Sequence, residues 1–462
     1  MGLDSIWVKN LNKAGRKSFK APRPDVTRLL VYDVLSEVNR KEGYSNLLLP
    51  SALSASALDD RDKGFATELL YGTLRMQGRH DFILSQVLDR DINMVDAGIV
   101  DICRLGIHQL FEMRVASHAA VSATVELARK VIGESKASYV NAILRKLSSQ
   151  NLEFWLSAAH QLQDPISKLS VIYSHPEWIV SAYFDLLKSE ELVEAELRAN
   201  NTPAAPTLVA WPGLSSQADL LEVGGVATSY SPYGAKTSKP PMSIELIRHR
   251  KAGVQDEGSQ LVAHLFSLAT STAERTLDLC AGPGGKAALL SSITKASGRD
   301  FYANEVSEVR ADLVKKVVQG ATVWTGDGRR ISERGEKFDA ILADVPCTGL
   351  GALRRRPEVR WRRSLQDLRT LTKLQFELAE GALAVLNPGG ILGYATCSPH
   401  YAETTAQVSE LLKRFSELEL VDINSYLPEN LHGAVRDKAL SLWTSVHDTD
   451  SMYLALLRKK VQ

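Results

Sequence analysis

Cysteine is scarce: the 462 residues carry only Cys103, Cys280, Cys347 and Cys397. Their spacing forms neither paired CxxC metal-binding units nor a dense disulfide framework, which excludes a zinc ribbon and a small stapled scaffold. No apolar run approaches the ~18 residues of a membrane span. Met1-Gly2-Leu3-Asp4-Ser5-Ile6 lacks a signal peptide's apolar core, and Ile6 stands where N-myristoylation wants Ser or Thr. Excess charge of one sign is also missing, since 55 Lys and Arg oppose 54 Asp and Glu. A polycation is excluded, so affinity for nucleic acid must come from patches. The expectation is a cytoplasmic protein, by default a monomer, with no metal.

What is present reads as two or three globular domains, given the length and an apolar fraction of 44%. Residues 1–22 form a basic arm in which Lys9, Lys13, Arg16, Lys17 and Lys20 face only Asp4. Residues 23–150 are helical throughout. Asp25 is placed to cap a helix carrying Val26, Leu29, Leu30, Val34 and Val38 at helical spacing. Further helices are predicted over Asp60–Met76, Asp81–Leu88, Asp96–Arg114, His118–Ile132 and Ser138–Ser149, a compact all-α bundle. Residues 151–254 read as a small α+β connector, with a strand at Thr207–Trp211 and a loop rich in Ser, Pro and Gly from Gly225 to Ser243. From residue 255 to 462, short apolar runs alternate with helical or loop segments: Thr276–Cys280, Asp300–Asn304, Ala321–Thr325, Ala340–Ala343 and Ile391–Ala395. That alternation predicts an α/β domain, a doubly wound, mostly parallel Rossmann-like sheet.

The first of these strands runs into Cys280-Ala281-Gly282-Pro283-Gly284-Gly285-Lys286 and then a helix. Glycines there let the backbone turn sharply and approach a ligand. Neither G-x-G-x-x-G nor the phosphate-binding G-x-x-x-x-G-K-[ST] is met, which favours a cofactor without a pyrophosphate and disfavours a nicotinamide oxidoreductase. The second strand ends in Glu305, where a carboxylate can accept ribose hydroxyls. Asp327 follows the third strand and is placed to hold an adenine amino group. Singly, Glu305 could be a helix cap or a surface acid. Three such features at successive strand ends are unlike coincidence.

Asp344-Val345-Pro346-Cys347-Thr348-Gly349 follows the fourth run, and Thr396-Cys397-Ser398-Pro399 follows the fifth. Both thiols therefore stand at the carboxyl edge, where open α/β sheets bind ligands. A structural cysteine belongs inside the strand. Two presented thiols beside a methyl-donor site suggest chemistry on a pyrimidine. Addition of a thiolate to C6 of cytosine pushes electron density to C5, which can then attack the sulfonium methyl of S-adenosylmethionine. Asp344 could stabilise the protonated ring nitrogen and position the exocyclic amine.

These segments resemble the motifs of the RNA cytosine-5 methyltransferases of the NOL/NOP/Sun family. The likeness is greatest to the bacterial branch with a NusB-like domain, the ribosomal RNA small-subunit methyltransferase B type. Asp62–Leu74 and Ser138–Arg145 resemble the small helical RNA-binding domain of the antitermination factor NusB. The resemblance implies a cofactor loop at Cys280–Lys286, acids at Glu305, Asp327 and Asp344, the nucleophile at Cys397 and a release-assisting cysteine at Cys347. Gln255–Gln260 resembles the segment that the family places before its first strand. Gly282 and Val345 stand where the family often has Ala. The implied substrate is small-subunit ribosomal RNA.

After Cys347, Arg354, Arg355, Arg356, Arg360, Trp361, Arg362 and Arg363 form a dense basic stretch. Such a run is usually a solvated face, but beside a catalytic cysteine it predicts phosphate contact, with Trp361 stacking on a nucleotide or anchoring the loop. The target cytosine must be flipped or unpaired. The rival readings are a DNA cytosine-5 methyltransferase using Cys347, which has no need of Cys397, and a non-catalytic RNA-binding scaffold, which has no need of either thiol.

Overall fold

The computed structural model describes residues 25–41, 43–318 and 320–461, so the basic arm lies outside the described residues. The N-terminal region is helical: Val26–Lys41, Ser45–Ala55, Asp60–Arg75, Gln77–Ser85, Ala97–Phe111, Ser117–Ile132 and Glu134–Leu147. Arg28 N donates to Asp25 at 3.1 Å, the predicted cap. Val31, Leu35 and Val38 of the first helix pack on Leu69, Leu70, Ile102 and Leu144, one apolar stripe at i, i+4, i+7. Cys103 is fully buried among them, and burial pushes its thiol up to about 12, as suits a core residue. Packing continues past residue 150. Trp155 and Leu156 of helix Leu152–His160 join this core, and Trp155 Nε1 donates to Leu147 O at 3.0 Å.

The connector holds helices Pro165–Tyr173, Glu177–Leu187 and Glu190–Asn200, then a four-stranded antiparallel sheet in the order β2-β3-β1-β4. Its strands are β1 (Thr207–Ala210), β2 (Val226–Ala227), β3 (Gly234–Lys236) and β4 (Ala252–Val254). The stretch from Gly225 to Ser243, expected as loop, thus contributes two short strands. Tertiary pairing makes them, β3 with β1 and β2 with β3, not local propensity.

The C-terminal domain is an α/β fold around β5 (Arg275–Asp278), β6 (Asp300–Glu305), β7 (Thr322–Thr325), β8 (Phe338–Asp344) and β9 (Leu386–Thr396). These five run parallel in the order β9-β8-β5-β6-β7. Along β8, Ala340 and Leu342 enter one core while Ile341 and Ala343 enter the other. Both faces are therefore covered, the reason parallel strands read as continuous apolar runs. Beyond β9 the sheet turns antiparallel through β10 (Leu418–Val421), β11 (Val435–Arg436), β12 (Ala439–Ser441) and β13 (Tyr453–Lys459). From β5 the chain winds outward to β7, then returns to lay β8 on the other side of β5. That reversal opens a crevice at the carboxyl ends of β5 and β8.

Candidate active site

The ends of five strands, β5 to β9, supply the candidate residues. Glu305, closing β6, has a side chain only 3% exposed; it accepts from Gly282 N at 3.0 Å and Ser307 N at 2.9 Å and pairs with Arg310 at 2.6 Å. Glycine at 282 lets the backbone approach that carboxylate closely; a Cβ there would overlap it and the Glu305 carboxylate would have to shift. Gly284 has φ +118°, and a Cβ there would press on Val317 Cγ2 at 2.8 Å. The loop is therefore drawn tightly over the acid. Asp327 opens the turn after β7, accepting from Arg329 N at 3.0 Å, and Arg329 holds its carboxyl below the usual range. It lines a surface cavity of about 570 Å³ with Arg329, Glu377 and Gly381.

Sequence reasoning missed Asp278. It ends β5, is 1% exposed, and neither of its carboxylate oxygens has a hydrogen-bond partner among the described residues. Burial, and then the neighbouring Asp344, pushes its pKa to about 8. The signal was there: an acid inside the apolar run Thr276–Cys280 is costly to bury without a partner. Burial pushes the Cys280 thiol well up.

Cys347 Sγ and Cys397 Sγ lie 3.3 Å apart, carried by the ends of β8 and β9. Val345 N bonds Ala395 O at 2.9 Å, which joins the two loops at their base. Lys286 Nζ reaches Asp344 Oδ2 at 2.9 Å, bringing the cofactor-loop lysine beside the thiols. The Cys397 thiol is held below its ordinary range, first by the hydrogen bond from Cys347, then by the positive charges of Lys286 and Arg356, which outweigh burial and Asp344. Cys347 moves the opposite way, raised by that same bond, by burial and by Glu403. Of the pair, Cys397 is the thiol whose surroundings favour ionisation.

Glu403 was also missed. It is fully buried and accepts from Thr348 N at 2.8 Å, from Thr348 Oγ1 and from Gln375 Nε2 at 2.9 Å. Gln375 Nε2 also donates to Pro346 O at 2.9 Å, and Thr348 Oγ1 meets Ser398 Oγ at 3.1 Å. One buried carboxylate thus ties the Cys347 loop to the Cys397 loop. Nothing in the local sequence around Glu403 marks it.

The arginine stretch requires correction. Arg354 is 7% exposed and pairs with Asp256, Asp448 and Asp450, while Arg355 pairs with Asp256 at 2.5 Å and Asp450 at 3.0 Å. Arg360 is fully buried, donating to Ser174 O at 3.0 Å, Asn201 Oδ1 at 2.8 Å and Asn200 O at 3.3 Å. Trp361 packs against Gly78 of the helical domain, where a Cβ would overlap its ring. Acids about a hundred residues away, and carbonyl groups across the domain junction, have taken these side chains inward. Of the five residues expected to contact RNA, only Arg356 is exposed.

The family model described as 16S rRNA methyltransferase RsmB/F matches residues 265–458. A ribosomal RNA small subunit methyltransferase B from Pseudomonas syringae pv. tomato is 30% identical over 450 residues, covering 94% of this chain and 96% of its own. The chain belongs to the RsmB/F family of 16S rRNA methyltransferases. The NusB family model matches residues 25–149, the helical bundle described above. A Mycobacterium tuberculosis protein, whose name states a methyltransferase and no substrate, is 39% identical over 445 residues, covering 94% of this chain and 97% of its own. Among solved structures, that of PH0851 superimposes with a TM-score of 0.78 at 20% identity, covering 95% of this chain and 99% of that one. Helical domain, connector and α/β domain therefore recur together as one fold.

Proposed function

We propose that this RsmB/F-family chain methylates C5 of a cytosine in small-subunit ribosomal RNA, using S-adenosylmethionine, as a cytoplasmic monomer. The observation carrying this reading is the pair of thiols 3.3 Å apart at adjacent strand ends, beside Asp344. The cofactor fits the residues present. Glu305 is a buried acid under a glycine turn, and Asp278 offers two buried oxygens without partners. Glu305 would hold the ribose, Asp327 the adenine, and the loop Cys280-Ala281-Gly282-Pro283-Gly284-Gly285-Lys286 the remainder. When bound, S-adenosylmethionine supplies an electrophilic methyl group for C5.

Cys397 Sγ, as thiolate, adds to C6 of the cytosine, and the C5–C6 π electrons pass into the ring and make C5 nucleophilic. Asp344 stabilises the protonated ring nitrogen, with Lys286 orienting its carboxylate at 2.9 Å. Once Cys397 is bonded to carbon, the thiolate to which Cys347 donated a hydrogen bond is gone. The largest cause holding the Cys347 thiol up is then removed. Cys347 can then lose its proton to solvent and, as thiolate, take the C5 proton, after which the C6–Sγ bond breaks and Cys397 leaves as thiolate. Arg356, exposed beside this site, supplies phosphate contact. The proposed units are the basic arm at 1–22, the helical RNA-binding domain at 23–150, the connector at 151–254 and the methyltransferase domain at 255–462.

Transfer of labelled methyl groups to small-subunit RNA, with bisulfite sequencing of the product, tests this. Label at one cytosine is the expected result. Label at no cytosine, by enzyme that binds S-adenosylmethionine, would refute it.

A further inference from the structure

The residue expected to stack on RNA, Trp361, is sequestered at the domain junction, yet a different aromatic stands in the open nearby. Tyr44 belongs to the helical domain, sits at the start of helix Ser45–Ala55, and is 44% exposed. Its ring is flanked by two arginines of the stretch that follows Cys347. The Arg362 guanidinium carbon lies 5.5 Å from the ring centroid and that of Arg356 lies 5.9 Å away.

The turn that carries Tyr44 is held from the catalytic domain on both sides. Arg362 Nη2 donates to Gly43 O at 2.5 Å and to Val38 O at 2.8 Å. Glu358, 2% exposed, accepts from Ser45 N at 3.1 Å and from Ser45 Oγ at 2.7 Å. An aromatic needed only to seal the junction would be drawn into it, as the half-buried Trp361 is against Gly78. This one is clamped by its backbone while much of its side chain remains in solvent, and a clamped ring loses little freedom when a planar ligand stacks on it. The site also lies next to the chemistry. Arg356, which reaches the Tyr44 ring, is close enough to Cys397 for its charge to act on the thiol. Its guanidinium has no carboxylate partner among the described residues, so it is available to a phosphate.

We infer that Tyr44, with Arg356, forms a stacking subsite for an unpaired nucleotide adjacent to the target cytosine, contributed by the helical domain to the catalytic crevice. A base stacks on the phenol ring while its phosphate meets the Arg356 guanidinium, the pairing of aromatic face and cation used for single-stranded nucleic acid. The helical domain then contributes to the choice of RNA inside the active site as well as at a distance. This subsite rests on the proposed RNA methylation, and its test separates the two.

The probe is an in vitro transcript of small-subunit RNA, end-labelled for fluorescence anisotropy and used unlabelled for methyl transfer. Tyr44→Ala and Tyr44→Leu should raise both Kd and KM for this RNA by about 5- to 150-fold, the loss of one base–aromatic stack. Tyr44→Phe and Tyr44→Trp should restore binding to within about twofold, because the face and not the hydroxyl is used. Binding of S-adenosylmethionine by calorimetry should match wild type in all four variants, which excludes collapse of the fold. Wild-type affinity in Tyr44→Ala would overturn the subsite, and so would a Phe variant as weak as the Ala variant. Wild-type enzyme that transfers no methyl group would refute the proposed function instead, while the anisotropy series would still decide the stacking.

Discussion

Removing the Glu403 carboxylate should loosen both cysteine loops, by an amount that depends on which side chain replaces it. Glu403 is fully buried and accepts three hydrogen bonds, from Thr348 N, Thr348 Oγ1 and Gln375 Nε2. Glu403→Gln can keep the geometry. Its carbonyl oxygen faces Thr348 N and Gln375, while its amide faces Thr348 Oγ1, a hydroxyl able to rotate and accept. What is lost is charge assistance, about 1 kcal/mol. Glu403→Ala leaves Thr348 N–H and one of the two Gln375 amide hydrogens, the other still bonded to Pro346 O, buried without an acceptor, at about 1–3 kcal/mol each, or about 2–6 kcal/mol together. For a domain of this size each kcal/mol lowers Tm by about 2–4 °C, so scanning calorimetry should separate the variants clearly. Both substitutions remove a negative charge that raises the Cys347 thiol. Cys347 then ionises at lower pH, and release of the methylated product should reach its plateau at lower pH. Glu403→Ala enzyme that melts and turns over like wild type would refute this network.

Further outcomes follow from the same geometry. Lys286→Met removes a cation that lowers the Cys397 thiol and leaves Asp344, which raises it, without its partner. Activity requires the thiolate, so the rise of kcat/KM with pH should move to higher pH; an unmoved profile would show that Lys286 does not tune the nucleophile. Arg360→Ala leaves Ser174 O, Asn200 O and Asn201 Oδ1 without their donor at the domain junction. At about 1–3 kcal/mol per buried orphan, thermal unfolding should split into two transitions, and a single unshifted one would contradict the buried role given to Arg360.

Much of the catalytic half was legible because buried parallel strands are short apolar runs of fixed position. The predicted run Ala340–Ala343 lies within β8, and both cysteines fall at strand ends as expected. What stayed hidden depended on partners distant in sequence. Strands of two or three residues, such as Val226–Ala227, exist only because β3 pairs with them. The antiparallel strand β13 lies after the last recognisable motif, and it completes the sheet against β9. The arginine stretch reads as surface because its acids stand at Asp256, Asp448 and Asp450, far from it in the chain. The same distance hid Glu403, which stands 55 residues after Thr348. The helical domain was recognisable from its apolar periodicity and a dozen matching residues. Its contact with the active-site rim through Gly43, Tyr44 and Ser45 was not, because only the folded chain brings residue 44 to residue 356.

The assignment of Cys397 as nucleophile and Cys347 as the release thiol is tested most directly by trapping. Cys397→Ala and Cys347→Ala enzymes are each incubated with small-subunit RNA and S-adenosylmethionine, then run on denaturing gels to reveal covalent protein–RNA adducts. The geometry and the opposite shifts of the two thiols predict no adduct from Cys397→Ala and an accumulating, unreleased adduct from Cys347→Ala. The reverse pattern would make Cys347 the nucleophile and contradict the account.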